Sequence, residues 1–228
     1  MSEWWTYRIQ SFVLFSPRTY LRLCEIYNDA IWPLQIVTLA AGIALVLAAW
    51  VGRPSSARAI PLALAALWLF VAWAFHYRRY ATINWAAQYF AVAFVAQALL
   101  LAWSGVAGRI RFGGVAAWRQ RAAVCVVAAA LFGVPLLERL AGRGWSQLEA
   151  FGTAPDPTAI GTLGILLLTR DPSPWPLLTI PLAWCAVNGA FQWTLGLADA
   201  LALPLIALVA LALRVASALR QPLRPSAR

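Results

Sequence analysis

The sequence predicts an all-α integral membrane helical bundle of seven transmembrane helices, preceded by an amphipathic N-terminal helix. Three observations carry this. The 228 residues are 62% hydrophobic and only 11% charged, with a mean hydropathy of +0.72. A soluble domain is about half apolar and about a quarter charged. The apolar residues also fall in long runs separated by short turns rich in Arg, Gly and Pro, the pattern of helices that cross a lipid core.

Three regions are expected: an interfacial segment over 1–30, a transmembrane domain over 31–217, and a basic, disordered tail over 218–228. In the first, Ser16-Pro17 reads as a helix start, with Ser as the cap and Pro in the first turn. Arg18, Arg22, Glu25 and Asp29 then recur at helical spacing, and Tyr20, Leu23, Cys24, Tyr27 and Ile31 fill another face. That is a helix lying on the membrane surface. Trp4, Trp5 and Tyr7 add interfacial aromatics. No cleavable leader is read here, so the first span is expected to act as the insertion signal.

The spans are placed at 31–51, 60–75, 82–103, 122–137, 158–169, 176–195 and 200–217, with Pro135 as a local kink in the fourth. The segment 158–169 is short for a full crossing and fits a re-entrant or broken helix as well. Between the fourth span and this segment, "ERLAGRGWSQLEAFGTAPDP" reads as a polar outer loop. With seven spans the arginines divide seven against eleven, favouring an outside N-terminus; without a crossing at 158–169 both termini share the inside.

The formal charge is +10, and every basic residue is Arg. These arginines stand at the ends of apolar runs, where they anchor helices against anionic headgroups, so nucleic acid is not an expected partner. High Ala and Arg usage suits a GC-rich bacterial genome, and a bundle of apolar helices in such a chain is expected in the inner membrane. Cys24, Cys125 and Cys185 are far apart and form no ligand cluster. There is no G-x-S-x-G, P-loop or G-x-G-x-x-G, and a lone His cannot ligate haem from both sides. No catalytic residue, metal or cofactor is therefore predicted.

No Asp, Glu, Arg or His lies deep in a predicted span, which argues against a proton relay. Neutral polar groups are the candidates instead. Asn84 and Gln88 are four apart, hence on one helix face. Trp184, Asn188 and Gln192 form a second stripe, with Cys185 beside it, and Thr158, Thr162 and Thr169 share a face of the short segment. Such groups bond helices together or line a cavity. The candidate cavity lies between the third, fifth and sixth spans, with Asn84, Gln88, Thr158, Asn188 and Gln192 as polar contacts. His76, Arg78, Arg79 and Asp156 form its mouth. His76 stands with Tyr77, Tyr80 and Trp85 as in an aromatic belt, and Asp156 with Pro157 suits a helix cap.

The blocks "EWWTYR", "FSPRTYLRLCEIYNDAIWPLQ", "WAFHYRRYATINWAAQYF" and "FGTAPDPTAIGTLGILLL" resemble a family of uncharacterised bacterial multi-pass membrane proteins, a domain of unknown function. In that family the block before the short segment usually reads P-C-P-T, and this chain has Asp156 at the Cys position. Thiol or metal chemistry there is thus not carried over, whereas helix capping is. The resemblance implies a bacterial membrane location and supplies no substrate. The expected activity is binding or transport of a small neutral or amphipathic molecule. The alternative is an accessory subunit of a larger membrane complex. Partners are then membrane lipid, the small molecule, and partner subunits or further copies of the chain.

Overall fold

The computed structural model describes residues 15–170 and 175–220. The expectations for Trp4, Trp5, Tyr7, the 171–174 turn and the end of the tail lie outside these residues. Helix α1 (Pro17–Ile31) opens as the sequence implies: the Thr19 N–H donates to Ser16 Oγ at 3.2 Å, and Pro17 sits in the first turn. It buries Tyr20, Leu23, Cys24 and Tyr27 and leaves Arg18 and Arg22 exposed.

Helix α2 (Leu34–Val51) ends at Gly52, whose φ of 67° places it in the left-handed region. A Cβ there would sit 2.7 Å from the Gly113 Cα, so the turn also needs a residue without a side chain. Helix α3 (Ser56–Phe70) continues into a π turn (Val71–Tyr77) and packs closely along α4 (Ala87–Val106). Helix α5 (Ala117–Ala128) passes through a second π turn (Ala129–Gly133) into α6 (Val134–Leu140). That wide turn directly precedes Pro135, which cannot donate to the ladder. Helices α7 (Pro155–Leu166), α8 (Trp175–Thr194) and α9 (Ala202–Leu219) complete the bundle.

Among the described residues five helices are long and apolar enough to cross a membrane: α2, α3 with its extension, α4, α5 with α6, and α9. The other two segments expected to cross are α7 and α8. Helix α7 has only 12 residues, about 18 Å at 1.5 Å per residue. Helix α8 has 20 residues, but Asn188 and Gln192 lower its hydropathy. The reason for both lies in the interior. All of α7 is buried, so it is the axis of the bundle rather than part of its wall.

The long-range pairings define two ends. At one end, Tyr27 donates to the Thr153 carbonyl at 2.7 Å and Asn28 Nδ2 to the Ser146 and Leu148 carbonyls at 2.9 and 2.8 Å. At the other, the Gly113 N–H donates to the Leu168 carbonyl at 3.1 Å. Arg119 Nε donates to the Leu167 carbonyl at 2.5 Å, its Nη2 to the Thr169 carbonyl, and its Nη1 to Ser217 Oγ at 2.7 Å. Arg119 thus closes the C-terminus of α7, whose last carbonyls have no partner of their own in the helix.

Helix α7 approaches its neighbours through glycine. A Cβ on Gly161 would lie 2.7 Å from Phe151 Cδ2, and one on Gly164 2.7 Å from Val127 Cγ2. Both neighbours are themselves buried. Gly161→Ala is expected to destabilise the bundle by about 1–3 kcal/mol, the usual cost of overpacking. Thermal unfolding in detergent measures it; an unchanged midpoint would mean that the Phe151 ring gives way freely.

Candidate functional site

The site is built from the segment between α6 and α7. The sequence reading makes 138–157 an outer loop, and the structure corrects this. Glu138, Arg143 and Glu149 are each 2 % exposed, and Thr153 and Asp156 are also buried. The segment folds back into the bundle because its charges pair with one another instead of with water. Arg143 Nη1 lies 2.8 Å from Glu138 Oε1 and 3.8 Å from Glu149 Oε1, and Nη2 lies 2.8 Å from Asp199 Oδ2. The Glu149 N–H donates to Glu138 Oε2, and Tyr20 on α1 donates to Glu149 Oε1, both at 2.8 Å.

Asp156, in the first turn of α7, is the second half of the site. Trp184, Asn188 and Gln192 follow one face of α8 at intervals of four. Trp184 Nε1 donates to Oδ1 at 2.8 Å, Asn188 Nδ2 reaches Oδ1 and Oδ2 at 2.7 and 2.8 Å, and Gln192 Nε2 donates to Oδ2 at 2.7 Å. The amide oxygen of the same Gln192 accepts from Arg143 at 3.4 Å. One side chain therefore joins the two halves.

The electrostatics are lopsided. Glu138, Glu149, Asp156 and Asp199 are half of the chain's eight acidic residues, and Arg143 is the cation that three of them, Glu138, Glu149 and Asp199, share. Burial pushes the Glu149 carboxyl above its ordinary range, while Arg143 and the Tyr20 hydrogen bond pull it back. Glu149 Oε2 and Asp199 Oδ1 accept no hydrogen bond. A void of about 10 Å³ lies among Glu138, Asp156, Gln192, Asp199 and four apolar side chains, room for about one water.

The structure brings together three of the nine residues singled out from sequence: Asp156, Asn188 and Gln192. Thr158 lies close by but turns inward, donating to the Ala154 carbonyl at 2.6 Å and accepting from the Gly152 N–H at 2.8 Å. It shapes the start of α7. Asn84 and Gln88 do not share a face. Helix α4 begins only at Ala87, so the four-residue rule fails for this pair. Asn84 is buried in the preceding turn, where its Oδ1 accepts from the Ala86 N–H at 3.0 Å, and Gln88 is exposed.

The mouth residues scatter as well. His76 is 0 % exposed, and its ring lies 4.4 Å from that of Phe94 and 5.0 Å from that of Trp184. It belongs to an aromatic box in the interior, not to a belt at the edge. Arg78 and Arg79 point to a groove shared with α1, away from Asp156. Glu138, Arg143, Glu149, Asp199 and Tyr20 escaped the sequence reading. The signal that could have found them is the run of both charge signs in a segment that also holds Trp145, Leu148 and Phe151.

Among the described residues the chain is an all-helical bundle with five helices long and apolar enough to cross a membrane and a charge network buried at one end, as a membrane protein would have. The chain belongs to a family of unknown function, DUF6064, whose model matches residues 18–224. No curated protein and no solved structure matches it significantly.

Proposed function

We propose that the chain is a multi-pass protein of the bacterial inner membrane, of the binding or transport type, and that the Arg143–carboxylate network is its working element. The network takes up and releases protons as a small neutral or amphipathic molecule is bound or moved. The observation that carries this reading is the imbalance, among the described residues, of three buried carboxylates (Glu138, Glu149 and Asp156) and the partly buried Asp199 against the single guanidinium of Arg143. Uncompensated charge in such surroundings costs several kcal/mol per ion. Protons remove that cost, and ionisable groups within a membrane commonly serve proton or substrate pathways. In this reading all seven bundle helices cross, α7 being the short one, while α1 lies amphipathically on the surface. The arginine count then sets the α1 end outside and the C-terminus in the cytoplasm.

Infrared difference spectroscopy of the protein in lipid nanodiscs tests the proposal across a pH titration. Protonated-carboxyl bands are expected near neutrality, lost on alkalinisation and reduced in Glu149→Gln. Absence of any protonated carboxyl at neutral pH sinks the idea. Stability follows the same sign. The folded-state value of Glu149 lies above its unfolded value. Its contribution is therefore full below the ordinary carboxylate range and is lost as pH rises through the folded value.

The accessory-subunit reading draws on a different feature. Only 17 % of α2 is buried. A groove of about 740 Å³ between α2 and α3 is lined by Ala41, Ala44, Ala48, Ala59, Ala63 and Ala66 among others. Small residues let helices approach closely in lipid. Gentle purification separates the readings, because a subunit brings partners or further copies and a lone monodisperse chain does not.

A further inference from the structure

We infer that the groove between α1 and the turn after α3 is a binding site for a phosphate-bearing amphiphile, an anionic lipid headgroup in place. Its lining is Arg18, Arg22, Arg78 and Arg79 over an apolar floor that includes Leu23 and Ile83. The volume is about 450 Å³, within the usual range for a small-molecule site of about 300–1,000 Å³. None of the nine described residues that line it is acidic. Glu25 pairs with Arg22 at 2.6 Å and so offsets one of the four guanidiniums.

The convergence of these arginines is built rather than incidental. The two pairs come from segments more than fifty residues apart in the chain. Helix α1 is held in place by Tyr20 on Glu149, Tyr27 on Thr153 and Asn28 on Ser146 and Leu148. Arg78 and Arg79 are fixed by the end of the π turn, where their N–H groups donate to the Trp73 and Phe75 carbonyls at 3.0 and 3.2 Å. Like charges gathered by two rigid elements repel unless an anion lies between them. Guanidinium matches phosphate oxygens with paired, charge-assisted hydrogen bonds. The apolar floor then favours a phosphate that carries a hydrocarbon part over a bare ion.

The inference rests on the proposed membrane setting and not on proton uptake by the network. The test uses the full chain in nanodiscs of phosphatidylcholine doped with phosphatidylglycerol, read by native mass spectrometry of retained lipid. Wild type is expected to retain phosphatidylglycerol over phosphatidylcholine. Each Arg→Gln change at 18, 22, 78 or 79 should weaken that preference by about fivefold, from about 1 kcal/mol per basic residue at an anionic surface. The control is Arg53→Gln with Arg58→Gln, at the opposite end of the bundle. A preference unchanged in the fourfold variant, or lost equally in the control, overturns the site. Inorganic phosphate is the second probe: competition at equal concentration assigns the site to free phosphate and overturns the lipid. Failure of the wild type to enter nanodiscs of either composition would instead count against the membrane setting.

Discussion

Arg143→Ala is expected to destabilise the protein by about 3–5 kcal/mol, the usual cost of removing one partner from a buried ion pair. The guanidinium lies within 2.8 Å of both Glu138 and Asp199 and within 3.4 Å of Gln192. Its loss leaves carboxylates facing one another with no cation among them. Those carboxylates can answer by taking protons, so the loss should be smallest at acidic pH and grow as pH rises. Unfolding in detergent at several pH values gives both the size and the slope. Arg139→Ala is the matched control, since Arg139 is exposed and lies 5.4 Å over the ring of Trp145; an exposed charge contributes about 0–1 kcal/mol. Equal effects of the two changes would show that the buried cluster does not act as a unit.

Asp156→Ala should cost about 2 kcal/mol or more. It strands the donors of Trp184, Asn188 and Gln192 in an interior where each unsatisfied group costs about 1–3 kcal/mol. Relief of repulsion from the neighbouring carboxylates offsets part of that. Asp156→Asn should cost less, because one acceptor oxygen remains for Trp184 or Gln192. The double variant with Arg143→Ala is informative, since coupling passes through Gln192. A coupling energy near zero, measured by a double-mutant cycle, would mean that the two halves merely adjoin.

Local patterns were the legible part of this chain. The Ser16-Pro17 helix start and the Trp184, Asn188 and Gln192 stripe follow from spacing along one element, whereas Asp156, read as a helix cap, does not cap α7, whose N-cap is Ala154, and instead accepts from that stripe. The Arg143 network was not legible, because its bonds are not local. Arg143 meets Glu138 five residues back but Asp199 in the connection between α8 and α9. The mixed charge signs and apolar residues of the 138–154 stretch hint that its charges pair, but they do not say with which distant partner. His76 failed for a related reason. Aromatic neighbours such as Tyr77 and Tyr80 suit a membrane edge and an interior box equally well in sequence. Asn84 and Gln88 failed because their spacing has meaning only if a helix covers both, and α4 starts between them.

The total enclosure of α7 bears on how the chain is made. A helix buried on every side takes all its contacts from the rest of the chain. Its flank toward α5 and its Arg119 clasp are synthesised before it, but α8 and the Ser217 end of α9 come after. The newborn α7 must therefore wait, half-sheltered, until the last two helices arrive. Packing around α7 is complete only when α8 and α9 have been synthesised.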